Sequence, residues 1–248
     1  MTDQADEILL RQEAIRASRS GRCVAGRFLP ASLIPLARKM ARDADVSVAF
    51  DGGFEDAERL QPCFYPLGES HFFDMRFLEI TLHRLSGQVE HRARLGSLMA
   101  LQIDRSYFGD LVINGECAYL CALPLVADRL PLEWTEAGRV PIRVRVLSSP
   151  PVFTRQAGEQ LHVTLASPRL DAVLSDGLRI SRARACDLIR AGQVSLNHIP
   201  EERVDRNVGE GDLLSIRGHG RIRLLSLGEP NRKGRLPAEL ELFLSGKR

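Results

Sequence analysis

The sequence is short of aromatic residues and shorter still of lysine. Phe, Tyr and Trp make up 6% of its 248 residues, with a single Trp. That argues against a platform of stacked rings as a main binding device. Three lysines stand against thirty-one arginines. The cationic surface is therefore built from planar, forked donors, which match phosphate oxygens better than an ammonium does. The five cysteines, Cys23, Cys63, Cys117, Cys121 and Cys186, are odd in number and contain no C-x-x-C pair. They fit neither a disulfide framework nor a zinc module, and they imply a reducing compartment. Cys117 and Cys121 are expected to fill core space from one face of a strand. No apolar run approaches a membrane span. The opening MTDQADE is acidic and has no apolar signal region. A cytoplasmic location is expected. There is no G-x-G loop after a strand and no metal-ligand spacing of Cys and His, so neither cofactor nor metal is expected.

What is present is an uneven distribution of charge. The net charge is only +2. Residues 1–168 hold 19 Lys/Arg and 21 Asp/Glu, a net of −2, whereas residues 169–248 hold 15 and 11, a net of +4. The basic excess lies in the last third of the chain. There, Leu170, Val173 and Leu174 follow helical spacing, and Gly177 reads as the glycine that stops the helix. Ser181 reads as the N-cap of a second helix carrying Ala185, Leu188 and Ile189 inward and ending at Gly192. Val194, Leu196, a turn at Asn197 and a strand over 213–217 complete the stretch. Arg182 and Arg184 fall in the first turn of the second helix, where cations oppose the helix dipole by about 0.3–1 kcal/mol. Unpaired N–H groups at that end attract anions. Arginine retained there against the dipole points to an anion-binding surface.

Upstream, residues 3–19 read as an amphipathic helix with Ile8, Leu9, Gln12 and Ile15 along its buried stripe. A second helix over 31–43 turns Leu33, Leu36, Ala37 and Met40 inward, and a strand over 46–50 follows. Asp51-Gly52-Gly53 reads as a turn leading into a short helix with Glu55, Asp56 and Glu58 in its first turn. Asp51, Glu55, Asp56 and Glu58 also read as an alternative acid/base or metal site, although no His or Cys within reach in sequence completes it. Strands are expected over 62–66 and 76–83. A helix then presents Leu95, Leu98, Met99 and Gln102. Asn114-Gly115 signals a type I′ hairpin, a short helix spans 124–130, and a strand over 140–147 points Arg143 and Arg145 outward. His91, Arg92, Arg94 and Arg105 form a second basic cluster. His83-Arg84-Leu85 is followed by Ser86, so it lacks the Asp that pseudouridine synthases carry in the H-R-L-D motif. Residues 149–168, with Pro150, Pro151 and Pro168, read as a linker holding one strand over 161–165. Residues 228–248 read as a tail that frays or forms a helix over 238–244.

The last stretch resembles the RNA-binding domain named after small-subunit ribosomal protein S-four. Arg169-Leu170-Asp171, Ser181-Arg182, Ile189, Gly192, Val194, Asn197, Gly209, Gly211-Asp212, Arg217-Gly218 and Gly220-Arg221 carry the match. Preceded by DGGFEDAER and HRARLGSLMALQIDRSYFGDLV, it resembles the YlmH family of RNA-binding proteins over roughly residues 25–225. That family includes the photosystem II S-four-domain proteins. The family pattern has an acidic residue after its His-Arg pair, where this chain has Ala93-Arg94. The resemblance implies an α+β fold with an N-terminal mixed α/β subdomain (1–70) and a central α/β subdomain like an RNA-recognition fold (71–166). A small αα-β S-four-type domain (167–227) and a tail (228–248) follow.

The function implied is non-enzymatic binding of structured RNA, large-subunit rRNA, tRNA or both, on the large ribosomal subunit in translation quality control. The expected contacts are Arg169, Arg179, Ser181, Arg182, Arg184, Arg190, Asn197, Arg217, Arg221 and Arg223, with the His91, Arg92, Arg94 and Arg105 cluster as a second surface. A monomer without DNA or membrane partners is expected. The alternatives are an RNA-modifying enzyme, of pseudouridine-synthase or methyltransferase type, that uses the C-terminal module as its anchor, and a photosystem II assembly factor.

Overall fold

The computed structural model describes residues 2–82, 91–152 and 158–244. The chain forms two compact units, Met1–Phe153 and Thr154–Arg248. The fold class is α+β, as expected.

In the first unit, helix α1 (Thr2–Ser20) and helix α2 (Ile34–Asp43) pack against a small antiparallel sheet. Its centre is β4 (Arg59–Tyr65), paired with β1 (Val24–Ala25), β2 (Leu29–Pro30) and β3 (Ser47–Asp51). The core beneath holds Leu10, Ala14, Ala17, Ala37, Met40 and Phe64. The stripe expected on α1 is thus corrected. Leu10, Glu13, Ala14 and Ala17 face inward, while Ile8 and Ile15 remain 51% and 38% exposed. The two alanines let the helix approach the sheet closely, and close packing outweighs the larger side chains. Residues 52–58 form bends and turns rather than a helix. Asp51 Oδ1 accepts from Gly53 N at 2.7 Å, and Asp56 is left-handed, which ends any helical start.

The second sheet of this unit runs β6-β7-β5-β9-β8. Its strands are β5 (Arg76–Leu82), β6 (Phe108–Asn114), β7 (Cys117–Ala122), β8 (Glu136–Ala137) and β9 (Val140–Leu147). With α3 (His91–Ala100) after β5, and the one-turn helices α4 (Pro124–Ala127) and α5 (Leu130–Glu133) after β7, the order is the β-α-β-β-α-β arrangement of ferredoxin-like and RNA-recognition folds. Two turns replace the single helix expected over 124–130, because Pro131 opens a new one. Leu98, Trp134, Leu130 and Val126 pack on Leu78, Ile80, Leu120 and Val144. Trp134 Nε1 donates to Ser97 Oγ at 2.9 Å. The hairpin loop is Gly115-Glu116, since Asn114 pairs with Cys117. Only Gly115 of the two is left-handed, which matches the type II′ pattern rather than I′.

The second unit is a six-stranded antiparallel sheet in the order β10-β15-β14-β13-β11-β12. Its strands are β10 (Glu159–Leu165), β11 (Val194–Leu196), β12 (Ile199–Pro200), β13 (Leu213–Ile216), β14 (Gly220–Leu227) and β15 (Leu236–Leu244). Helices α6 (Leu170–Leu178) and α7 (Arg182–Arg190) share one core with a face of this sheet. Two expectations are corrected. The strand at 159–165 is part of this sheet rather than of a linker, and 236–244 is a strand rather than a helix or frayed tail. Each pairs with the other from Glu159↔Leu242 to Leu165↔Leu236. Gly177 does not stop α6. It lies inside the helix, where a Cβ would come within 2.6 Å of Ile222 Cδ1. The left-handed cap is Arg179, at φ 55°.

Candidate nucleic-acid interface

The local structure around α7 begins with its cap. Ser181 Oγ accepts from Arg184 N at 3.2 Å, which satisfies one of the helix's free donors. The Ser181 hydroxyl proton stays available to an incoming acceptor. Arg182 and Arg184 follow it at the surface. Helix α6 begins nearby without a side-chain cap. Its first donors are met by the backbone of the loop that follows β12: Leu170 N donates to Arg206 O at 2.8 Å, and Asp171 N to Val204 O at 3.2 Å. Asp171 lies at this junction with its side chain only 8% exposed, and Arg169 and Arg182 both reach it, at 3.1 and 3.4 Å. One buried carboxylate thus fixes two arginines whose outer edges face solvent.

Removing the Asp171 charge tests this clamp. Asp171→Asn should lower unfolding free energy by about 1–3 kcal/mol, the worth of hydrogen bonds to a buried charge, in a urea titration at neutral pH. An unchanged midpoint would mean that the arginines hold their positions without it.

The remaining expected residues do not all join this surface. Arg179, exposed, occupies the cap of α6. Arg190 lies eight residues beyond Arg182, about 12 Å along the helix. Arg217 N donates to Gln193 O, so the exposed Arg217 sits by that far end. Asn197 is occupied structurally. Its amide donates to Asp212 Oδ1 at 2.7 Å and its carbonyl accepts from Leu213 N at 2.9 Å. With His198 it forms a left-handed pair between Leu196 and Ile199, as a type I′ turn requires. Arg221 and Arg223 alternate with the core residues Ile222 and Leu224. They therefore project from the sheet face opposite the helices and lie apart from the α7 surface. Both are half-buried, and Arg223 Nη1 donates to Gly211 O at 3.3 Å.

The second cluster is corrected as an exposed surface. Arg94 is 2% exposed, and burial lowers its pKa. Arg105 donates to Phe108 O at 2.6 Å and Gly109 O at 2.8 Å, and burial pushes its pKa down to about 10. Both arginines belong to the frame of the first unit. The side chains of His91 and Arg92 lie outside the described residues, as does the segment from His83 to Ser86. No group of His, Cys, Asp and Glu among the described residues is placed to hold a metal, and no described helix is long and apolar enough to cross a membrane.

Sequence reasoning missed Arg203 and Arg206, 68% and 52% exposed at the side chain. The loop that carries them is pinned to the start of α6. Their acid partners, Asp205 and Glu201, lie at 3.7 and 3.6 Å, too far for hydrogen bonds. In the run EERVDRN the alternating charges read as a solvated loop, and only the fold brings it beside Arg169 and Arg182.

The chain thus carries an arginine-edged helix start on a small helix-pair-on-sheet unit, after a β-α-β-β-α-β region whose family match falls in the RNA-binding class. Residues 69–149 match the domain family described as "Putative RNA-binding domain in YlmH". The chain is 30% identical over 194 residues to the "Ribosome-associated protein quality control protein P2" of Bacillus subtilis (strain 168), covering 77% of this chain and 76% of that protein. The chain belongs to the YlmH family. A solved structure, the "Cell division protein ylmH from Streptococcus pneumoniae", is 18% identical with a TM-score of 0.48, covering 59% of this chain and 92% of that one. The matched RNA-binding domain is the β-α-β-β-α-β region, upstream of the arginine surface on α6 and α7.

Proposed function

We propose that this protein is a non-enzymatic RNA-binding protein that grips structured RNA, rRNA or tRNA, on the large ribosomal subunit during translation quality control. The observation that carries the reading is the capped start of α7. There, Arg182 and Arg184 stand exposed beside free helix donors, and Arg169 is locked alongside through Asp171. Cations at that end cost stability, so a phosphate ligand is what accounts for them. The Bacillus relative's name supports the ribosomal setting, and the matched domain family supports RNA as the partner.

Salt dependence is the first expected result. Neutralising about five phosphates gives a log K against log salt slope of about −3.5 to −4.5, read by fluorescence anisotropy with a labelled hairpin RNA. A flat response would sink the phosphate reading. Sedimentation of lysates at low and high salt then tests the setting. The protein should travel with large subunits at low salt only, with cross-links to large-subunit RNA or tRNA. Absence from every ribosomal fraction would separate this chain from its relative's role.

A further inference from the structure

The β6-β7-β5-β9-β8 sheet of the first unit has a second face that the function above does not use. Helices α3, α4 and α5 cover one face through Leu78, Ile80, Ala118, Leu120 and Val144. Alternation sends Phe77, Glu79 and Thr81 of β5, Cys117, Tyr119 and Cys121 of β7, and Arg143 and Arg145 of β9 to the other. Strand register then sets a row across three strands. Tyr119 stands opposite Glu79, and Glu79 opposite Arg145. Arg145 Nη2 donates to Glu79 Oε2 at 2.8 Å, and the Tyr119 hydroxyl donates to Glu79 Oε1 at 3.5 Å. One carboxylate therefore orients both a ring and a guanidinium.

The rest of this face does not offer itself in the same way. At the neighbouring row, Gly53 packs so close that a Cβ there would lie 2.6 Å from Cys121 Sγ, and the Phe54 ring sits 5.7 Å from that of Phe77. Tyr119, Glu79 and Arg145 line a cavity of about 520 Å³ whose far wall is the segment from Val146 to Val152, with Ser148, Ser149 and two prolines. That volume lies within the range of small-ligand pockets, about 300–1,000 Å³. Arg145 is 64% exposed at its side chain. Arg143, also exposed, stands two residues along the strand, about 7 Å away.

We propose that this cavity binds one unstacked nucleotide of single-stranded RNA, its base on the Tyr119 ring, its phosphate on Arg145 and the next phosphate on Arg143. The inference rests on the RNA-binding reading above and adds a second site of different specificity. An aromatic ring accepts any base face, so stacking alone selects nothing. Glu79 supplies selection. Its carboxylate accepts hydrogen bonds from the exocyclic amino groups of adenine and cytosine, which uracil lacks. Arg145 beside it offsets the negative charge that the phosphate meets.

The test uses the full chain and labelled nine-nucleotide homopolymers of A, C and U in anisotropy titrations, with the labelled hairpin as reference. The wild type should bind the A and C strands several-fold more tightly than the U strand. Tyr119→Ala should weaken binding of the A strand about tenfold or more, whereas Tyr119→Phe, which keeps the ring, should stay within about twofold. Arg145→Gln should make the salt slope shallower by about 0.7, one single-strand phosphate contact. It serves as an independent reading should the alanine variant fold poorly. None of these variants should alter hairpin binding through α7. If the wild type binds the hairpin but not the short strands, or if Tyr119→Ala and Arg145→Gln bind them as the wild type does, the site is refuted while the arginine surface stands. If the wild type binds neither probe, both readings fall.

Discussion

Replacing Arg182 with Gln and Arg184 with Glu should weaken binding of structured RNA about 100-fold. Two charge-assisted contacts of about 1.5 kcal/mol each are lost, and the carboxylate introduced at position 184 adds repulsion. The choice of residues follows from the contacts each makes. Arg182 lies 3.4 Å from the buried Asp171. A glutamate there would face that carboxylate and unsettle the fold, so Gln keeps binding and stability separable. Arg184 has no ion pair among the described residues, and its backbone already belongs to the Ser181 cap. An acid in the first turn of a helix agrees with the dipole. Arg184→Glu alone should therefore raise stability by about 0.3–1 kcal/mol while binding falls. A residue that weakens the fold and strengthens a contact is the signature of a binding role. If the affinity of the double variant for the labelled hairpin stays within about threefold of wild type, the surface has been misplaced.

The second large effect concerns Glu13. It lies on the buried face of α1, 7% exposed, and one carboxylate oxygen has no hydrogen-bond partner among the described residues. Burial pushes its pKa up to about 7 from about 4.5, against the pull of Arg16, of the Arg27 backbone and of the Arg27 charge. Below about pH 4.5 the carboxyl is protonated in folded and unfolded chains alike, and it costs nothing. Between 4.5 and 7 the unfolded chain has lost a proton that the folded chain keeps, so stability falls as pH rises. Above 7 the cost is constant, at about 3 kcal/mol for a shift of this size. Glu13→Gln removes the titration. It should add about 2–3 kcal/mol at about pH 8 and almost nothing at about pH 4, in urea titrations of wild type and variant at matched pH. A gain that does not depend on pH would mean that Glu13 is ionised and well paired in the folded chain.

Much of the helical C-terminal part could be read from the chain. Leu170, Val173, Leu174, Ala185, Leu188 and Ile189 are all buried, and Ser181 caps as expected, because these features depend on spacing within one helix. Features that depend on a distant segment were not legible. The burial of Asp171 is set by arginines on two sides and by the backbone at 204–206. Gly177 looked like a helix stop, since only the fold reveals Ile222 against it. Arg94 and Arg105 looked like surface charge because arginine rarely enters a core without a carboxylate nearby in sequence. Arg105 is instead held by the carbonyls of Phe108 and Gly109. One signal was present and undervalued. Ala238, Leu240 and Leu242 alternate with Glu239 and Glu241, a strand period, yet their place after a basic loop suggested a tail.

The pairing of β10 with β15 has a consequence for how the second unit is made. Among the described strands β15 comes last in the chain, yet it sits between β10 and β14. Synthesis therefore delivers both flanks of the slot before the strand that fills it. Until then β14 presents an open row of backbone donors and acceptors, a template for pairing with other chains. The closing contact, Glu159↔Leu242, spans most of the unit, and such long loops are slow to close. The interval between exposure and closure is when a nascent chain is most open to wrong partners. Arg221 and Arg223 put charge on one face of that waiting edge, and charge on an unpaired edge disfavours pairing with other chains.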